Sequence, residues 1–227
     1  MARKVPIEDL AQGKDKKKLK HAYFTRTMEE PVFLHELCIL KTEQPPEWVV
    51  YQEVYEVNGK MYMRGVTAID PTWLTDFCPL DCNLSKPLVD REPIYDQEKG
   101  QVLTYRTGTF GERCWPLPLI KTVHPSLLER TKYFAKFLLE GLVFPHLKGY
   151  SNELLSPPIA MIRSWGNLHS KRTKPLYETL LENGVDAKDK LVKKLEENPK
   201  FLMKDYLKWL DDDHHNEVTK IWLGLLQ

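Results

Sequence analysis

The stretch PEWVVYQEVYEVNGKMYMRGVTAIDPTWL, residues 46–74, decides the fold. It consists of two runs rich in β-branched and aromatic residues, which favour strands, and the runs meet at Asn58-Gly59. Asn-Gly is the strongest short-range hairpin signal, because a type I′ turn needs positive φ at both central positions. The stretch therefore predicts an antiparallel hairpin. Asp70 is expected to cap a short helix that begins at Pro71.

The segments around this hairpin divide the chain into a β part and an α part. Upstream, AYFTRTMEEPVFLHELCIL (22–40) predicts two short strands. Downstream, QVLTYRTGTFG (101–111) predicts a strand or hairpin, followed by the extended CWPLPLI. After His124 the apolar residues fall at helical spacing, and Pro175 is expected to begin another helix. The pattern predicts the α+β class: a small antiparallel sheet or barrel, then short helices.

Three segments follow from this pattern. Residues 1–21 are expected to form a basic polar lead-in, either mobile or a solvated helix, with a phosphate-contacting arm as the alternative. Residues 22–120 are expected to form the β domain, with 75–100 as a connecting segment rich in Pro and Asp. Residues 121–227 are expected to form a helical C-terminal extension.

Composition limits the class of protein. The 227 residues are 42% hydrophobic and carry a formal net charge of +1, as in an ordinary globular protein. Any basic surface must therefore be local. The chain has no apolar run of about 20 residues to span a membrane and no secretory signal at its start, so no membrane partner is expected. Four cysteines are too sparse for a disulfide framework and indicate reduced thiols in the cytosol or nucleus.

The motifs of common catalytic sites are missing from the sequence. It has no Gly-rich phosphate loop, no G-x-S-x-G elbow, no H-E-x-x-H pair and no paired C-x-x-C. Cys78 and Cys82, with Cys114 or His124, allow a metal site, but small buried side chains in a loop are the favoured interpretation. The acidic and histidine run 211–215 is interpreted as a solvated turn. These features favour a binding module over a complete enzyme.

The hairpin stretch resembles a known family. It is similar to the oligonucleotide/oligosaccharide-binding (OB) fold in the C-terminal region of DEAH-box RNA helicases, whose pattern is P-E-W-V-V-Y-H-E-L-V followed by Y-M-R-x-V-T-x-I-D-P-x-W-L. The upstream EEPVFLHELCIL resembles the family's P-V-Y-I-H-P-S-S segment. His35 is kept, whereas Glu36-Leu37-Cys38 replaces Pro-Ser-Ser. The resemblance implies an antiparallel OB-type β-barrel followed by a bundle of short α-helices.

The second half resembles the extended C-terminal domain of kurz-type members of that family. The similar segments include GQVLTYR, WPLPLI, RTKYFAKFLLEGLVF and NPKFLMKDYLKWL. Together the two resemblances cover about residues 22–210. They imply a parent ATP-dependent RNA helicase of the nucleus and nucleolus, acting in small ribosomal subunit assembly. The motifs of its RecA-like core are not in this sequence, so no enzyme activity and no cofactor are expected here, and ATP and Mg belong to that core.

The resemblance also implies partners and a candidate site. The partners would be single-stranded RNA (pre-rRNA or small nucleolar RNA), the helicase core of the parent chain and small-subunit processome proteins. OB folds bind single strands through basic grooves and aromatic stacking. Lys60 at the hairpin tip, Arg64, Tyr51 and Tyr62 are the candidates for RNA contact. Alternatively the tyrosines are barrel core and Arg64 pairs with Glu53 across the hairpin.

Two other hypotheses remain open. In one, the domain is a structural brace on the helicase core, with a large apolar patch and no RNA binding. In the other, it is a free-standing interaction protein. Core positions are the favoured interpretation of five tryptophans: Trp48, Trp73, Trp115, Trp165 and Trp209. The lysines of KDKLVKKLEENPK are interpreted either as a partner face or as a solvated helix face.

Overall fold

The computed structural model describes residues 1–6, 21–163 and 167–226, with side chains for all of these except 167–169. The described chain forms two compact units. The first, here called the β unit, comprises Met1–Ser85 and Thr107–Ile120. The second, here called the helical unit, comprises Lys86–Arg106 and Lys121–Gln227. The predicted α+β class is confirmed.

The β unit is built on a sheet with the strand order β5-β6-β3-β2-β1-β4-β7. The pairing of β3 with β6 is parallel, whereas the other neighbouring pairs in this order are antiparallel. The elements are β1 (Ala2–Lys4), β2 (Ala22–Thr25), β3 (Val32–Leu34), β4 (Trp48–Val50), β5 (Glu53–Val57), β6 (Lys60–Arg64), β7 (Thr67–Ala68), α1 (Leu74–Phe77) and β8 (Cys82–Leu84).

The predicted hairpin is confirmed. Strands β5 and β6 pair up to Val57 and Lys60, which leaves Asn58 and Gly59 as a two-residue turn. Their φ angles are 51° and 74°, as a type I′ turn requires. After β7, Asp70 Oδ1 accepts a hydrogen bond of 2.9 Å from the backbone N–H of Thr72, so the predicted cap is confirmed as well.

Two apolar clusters fill the β unit. One contains Tyr23, Val49 and Met63 on the inner face of the sheet. The Tyr23 hydroxyl donates to the carbonyl of Pro46 at 2.7 Å, and burial raises the pKa of this phenol to about 12. In the other cluster Trp48 and Trp115 meet edge to face with ring centres 5.6 Å apart. Both tryptophans are buried, as predicted.

The structure corrects two of the predicted segments. Within the predicted lead-in 1–21, residues 2–4 form β1, which pairs with both β2 and β4. Ala2 is fully buried there, because it packs in the core cluster that contains Tyr23 and Val49. The lysine-rich remainder, 7–20, lies outside the described residues. Segment 75–100 is more than a connection, because α1, β8 and a further strand lie in it.

The helical unit begins with strands and continues with helices. Its elements are β9 (Ile94–Asp96), part of β10 (Gln101–Phe110), part of β11 (Trp115–Val123), α2 (Leu127–Leu139), α3 (Asn167–Glu182), α4 (Lys188–Glu197), α5 (Met203–Leu207) and α6 (Asp212–Leu223). Strand β10 pairs with β9 at one end and with β8 at the other. Among the described helices, none is long and apolar enough to cross a membrane.

Helices α2 and α3 carry the core of the helical unit. The Ser126 hydroxyl caps α2 by accepting from the N–H of Glu129 at 3.3 Å, and Phe134, Leu138 and Leu176 are fully buried. The helix predicted after His124 is therefore confirmed. The predicted start at Pro175 is wrong, because this residue lies inside α3. Packing of the apolar face outweighs the backbone hydrogen bond that proline cannot donate.

A buried carboxylate joins α2 to the start of α4. Asp186 is 3% exposed and accepts hydrogen bonds from Arg130 Nε at 2.8 Å and Lys190 Nζ at 2.6 Å. Arg130 also donates to the carbonyl of His124 at 2.6 Å. Burial alone would raise the pKa of Asp186, but the hydrogen bonds from Lys190 and Arg130 hold it below its ordinary value. The carboxylate is therefore ionised and paired at neutral pH.

Candidate nucleic-acid interface

The outer surface of β3, β5 and β6 carries a group of aromatic side chains. Because side chains alternate along a strand, Met63 turns into the core while Tyr62 turns outward. The parallel register places Phe33 beside Tyr62, and the antiparallel register places Tyr55 on its other side. Together with His35 after β3, these residues form what we call the aromatic face: Phe33, His35, Tyr55 and Tyr62.

The rings of the aromatic face contact one another. The centre of the Tyr62 ring lies 6.3 Å from that of Phe33, 6.2 Å from that of Tyr55 and 5.7 Å from that of His35. His35 Nδ1 accepts a hydrogen bond of 3.2 Å from the backbone N–H of Leu37. All four side chains are half-buried. They are therefore held in place while part of each ring stays open to solvent, as base stacking requires.

Two cations border the aromatic face. Lys60 is exposed at the hairpin tip, with its Nζ 5.9 Å from the centre of the Phe33 ring. Arg64 Nη1 donates to Glu53 Oε1 at 3.2 Å, with the two side chains 73% and 57% exposed. This pairing is the one weighed from the sequence. An exposed pair of this kind is worth about 0–1 kcal/mol, so a phosphate can compete with the carboxylate for Arg64.

The structure brings three of the four candidate residues together. The three residues are Lys60, Tyr62 and Arg64, which occupy every second position of β6 and share its outer face. Tyr51 departs from the predicted arrangement, because it packs against the core cluster of the sheet. Tyr51 lies between two strands, because β4 ends at Val50 and β5 begins only at Glu53.

Sequence reasoning did not include Phe33 and His35 among the site residues. Their spacing of two residues would have placed them on one face of a strand. The pairing of β3 with β6, which brings them to Tyr62, joins segments that are distant in the chain. No local motif marks that pairing.

The β unit has a second open surface, which we call the apolar groove. It has a volume of about 260 Å³ and is lined mainly by Val50, Ile69, Trp73, Leu74, Phe77 and Phe110. Trp73 is 53% exposed and Phe77 is 80% exposed. The core position predicted for Trp73 is therefore wrong. Trp209 is buried as predicted, and Trp165 lies outside the described residues.

The structure also shows where the other groups singled out in the sequence lie. The four cysteines are free thiols, and the described residues contain no cluster of three or more His, Cys, Asp or Glu suited to a metal ion. The run 211–215 begins α6 and does not form the predicted turn. Its His215 bonds through Nε2 to the carbonyl of Leu207 at 2.9 Å. On α4, Lys194 pairs with Glu197 at 2.9 Å, as on a solvated helix face.

Comparison with known proteins finds two matching families and several similar helicases. Residues 1–80 match the oligonucleotide/oligosaccharide-binding fold family, and residues 146–226 match the family of the DEAH helicase DHX37 C-terminal domain. The chain is 38% identical over 222 residues to the probable ATP-dependent RNA helicase DHX37 of Homo sapiens. It is 36% identical over 226 residues to the probable ATP-dependent RNA helicase kurz of Drosophila melanogaster. Each match covers 98% of this chain and 19% of the relative.

The chain matches the C-terminal region of kurz-type DEAH-box RNA helicases. The resemblance found in the sequence is thereby confirmed. The match to the kurz-type helicases covers 98% of the chain and is therefore longer than the predicted 22–210. The OB-fold match begins at residue 1 and so includes β1.

The extent of the match also bears on activity. The chain spans about a fifth (19%) of the length of the curated kurz-type relatives. The matched part is their C-terminal part, so this sequence alone is not the helicase core.

Proposed function

We propose that this chain is the C-terminal auxiliary module of an ATP-dependent DEAH-box RNA helicase in small ribosomal subunit biogenesis. In this proposal it works in the nucleolus, contacts single-stranded pre-rRNA or small nucleolar RNA, and docks on the helicase core and on processome proteins. The ATPase belongs to the core. The observation that carries RNA contact is the aromatic face with Lys60 and Arg64 at its border.

The aromatic face suits RNA because a base can stack on any exposed ring. Stacking of this kind is worth about 1–3 kcal/mol per base and tolerates any sequence. Lys60 and Arg64 lie on the same side of β6, where they can each meet a phosphate of the strand. The proposed mode is therefore phosphate contact by two cations with bases resting on Tyr62 and Phe33.

Fluorescence anisotropy with a short labelled single-stranded RNA tests this proposal. We expect binding that weakens as salt rises, and that weakens further in Lys60→Ala/Arg64→Ala. Loss of two phosphate contacts should reduce the slope of log affinity against log salt by about 1.4, because each contact with a single strand contributes about 0.7 to that slope. Tyr62→Ala should weaken binding while leaving the salt slope unchanged.

A matched control removes the same charge from another surface. Lys193 and Lys200 are exposed cations of the helical unit, and Lys193→Ala/Lys200→Ala should bind RNA like the parent chain. Equal losses in the two double variants would mean that only net charge matters, and RNA contact at the hairpin would be rejected. Absence of binding at low salt would favour the structural brace.

The apolar groove supports docking on the helicase core. An exposed apolar surface around Trp73 and Phe77 is typical of protein contact. The helicase core is the proposed occupant, because most of the length of the relatives lies outside the matched part. In this proposal the β unit contacts RNA with one surface and the core with another.

Docking is measured by calorimetry of the chain with the separately produced core of the parent helicase. Trp73→Ser/Phe77→Ser should abolish binding, because large aromatic side chains supply most of the energy of such contacts. Leu37→Ser/Ile39→Ser is the matched control, since these side chains are 87% and 89% exposed elsewhere on the β unit. Unchanged affinity in the groove variant would reject this docking site.

A further inference from the structure

The helical unit contains a polar pocket that the proposed hairpin contact does not use. We call it the Thr104 pocket; its volume is about 290 Å³. Thr104 of β10, His124 after β11 and Tyr133 of α2 line it together with Leu88 and Ile162. The pocket thus has apolar walls and several side chains that are able to form hydrogen bonds.

Two side chains that line the pocket, Thr104 and His124, can form hydrogen bonds with a ligand. Thr104 is fully buried, and its hydroxyl has no hydrogen-bond partner within the described part of the chain. An unsatisfied buried hydroxyl is costly, and a polar ligand would relieve that cost. His124 Nδ1 lies 3.2 Å from the carbonyl of Ser126, to which it donates, and burial lowers the pKa of this imidazole. The neutral ring therefore has Nε2 as an acceptor at neutral pH.

An aromatic pair lies beside these groups. The rings of His124 and Tyr133 lie 6.2 Å apart at an angle of 38°. Tyr133 in turn contacts Phe137, with ring centres 6.3 Å apart. Aromatic and apolar walls around a few polar groups are what a heterocyclic base requires for stacking and edge recognition.

Guanidinium groups stand at the rim. Arg91 lies over the ring of Tyr105, 5.5 Å from its centre, and is exposed. Arg163 is 66% exposed and lies 4.0 Å from a carboxylate oxygen of Glu92, a distance that leaves the guanidinium available for a second anion. Glu129 also lines the pocket. The two glutamates repel a ligand with many negative charges more strongly than a ligand with a single phosphate.

We propose that the Thr104 pocket binds one nucleotide of a single RNA strand, with its base inside the pocket and its phosphate at Arg91 and Arg163. The volume suits a base and its ribose, being at the small end of the range for ligand pockets, about 300–1,000 Å³. This inference adds a second RNA contact to the proposed function. It rests on that function only in taking RNA as the ligand.

The test is a titration of the full chain with 5′-UMP, followed by NMR of the Thr104 methyl and Tyr133 ring signals. The chain carries Lys60→Ala/Arg64→Ala, so that the hairpin contact is removed. We expect 5′-UMP to shift both signals and to bind more tightly than uridine or inorganic phosphate alone. Arg91→Gln/Arg163→Gln should weaken 5′-UMP about tenfold or more, because charge-assisted bonds to phosphate are lost.

Two further variants separate binding from folding. Thr104→Val keeps the shape of the side chain and removes the hydroxyl, so it should weaken 5′-UMP and uridine in equal proportion. Lys193→Gln removes a charge elsewhere on the helical unit and should leave every affinity unchanged. Both variants should retain the circular dichroism of the parent chain.

Several outcomes would overturn the inference. Equal affinity for inorganic phosphate and 5′-UMP would mean that the rim binds anions without recognising a base. Tighter binding of a short glutamate peptide than of 5′-UMP would identify a peptide site. Absence of shifts at Thr104 and Tyr133 would reject the pocket as a nucleotide site. The hairpin proposal would survive this result if the Arg91→Gln/Arg163→Gln variant, with its hairpin intact, still bound RNA.

Discussion

The two units differ in how far their large aromatic residues are exposed. In the helical unit Tyr206, Trp209 and Trp222 are at most 1% exposed and fill the core. In the β unit Trp73 and Phe77 are largely exposed, and the aromatic face is half open. A solvent-exposed position gains little stability from such side chains, so these residues are the candidates for a contact with RNA or protein. Aromatic residues therefore fill the core of both units, and the β unit also keeps several of them at its surface.

The sharpest test of this difference is the same substitution in both units. Phe134→Ala should lower the free energy of unfolding of the helical unit by about 3–5 kcal/mol, because a buried ring is replaced by a cavity. Phe77→Ala should change stability by less than about 0.5 kcal/mol, because this ring is already exposed to water.

Urea unfolding with amide hydrogen exchange measures both effects. The exchange data assign the loss to α2 and α3 in Phe134→Ala, which a bulk signal from two units cannot do. If Phe77→Ala destabilises the β unit as much as Phe134→Ala destabilises the helical unit, the exposed ring is scaffold and the comparison fails.

The buried carboxylate gives the next largest effect. Asp186→Asn should cost about 3 kcal/mol, because it leaves Arg130 and Lys190 without their anion. The pKa of Asp186 is lowered in the folded state, so its contribution is present above the ordinary carboxyl pKa and is lost as pH falls through the lower folded value. The difference between parent and variant should therefore shrink below about pH 4.

Thermal unfolding of both proteins between neutral and acid pH checks this prediction. A constant difference across that range would mean that ionisation of Asp186 does not contribute.

Two glycines with similar backbone angles provide a smaller comparison. Gly59 has φ of 74° with open space around it, whereas Gly141 has φ of 70° with the backbone of Lys148 against the position of an added Cβ. Gly59→Ala should cost about 1 kcal/mol from the left-handed conformation alone. Gly141→Ala should cost about 2–3 kcal/mol, because steric overlap is added to the same strain.

Chemical denaturation of the two variants separates strain from overlap. Equal costs would mean that the helical unit adjusts around Lys148 without penalty. The turn at Gly59 would then be as sensitive as the buried site, and packing would not distinguish the two units at this level.

Local features of the fold were predictable from the sequence. Asn58-Gly59 fixed the hairpin, because few residues adopt positive φ at both turn positions. Asp70 marked a helix start through the hydrogen bond that its side chain accepts. The long resemblance to the helicase family, with its residues in the same order, predicted the OB fold.

Features that depend on distant pairing were not predictable. The three residues of β1 carry no periodicity, and only pairing with β2 and β4 makes them a strand. Pro175 signals a helix start locally but lies within α3, because the core of the helical unit extends the helix on both sides. The aromatic face requires the parallel pairing of β3 with β6, so Phe33 and His35 could not be joined to Tyr62 from spacing alone.

The smallest predicted effect on stability concerns the exposed pair of Glu53 and Arg64. Glu53→Gln removes the carboxylate that pairs with Arg64 on the exposed surface. Stability should change by less than about 0.5 kcal/mol, because such a pair is strongly solvated. RNA affinity should rise by about threefold or more at low salt, since the guanidinium no longer exchanges a carboxylate for a phosphate and one repulsive charge is gone.

Anisotropy measures this gain, with Glu56→Gln on the same strand as the matched control for removing one negative charge. A gain shared by both variants reflects net charge, whereas a gain confined to Glu53→Gln identifies Arg64 as the group that meets the phosphate.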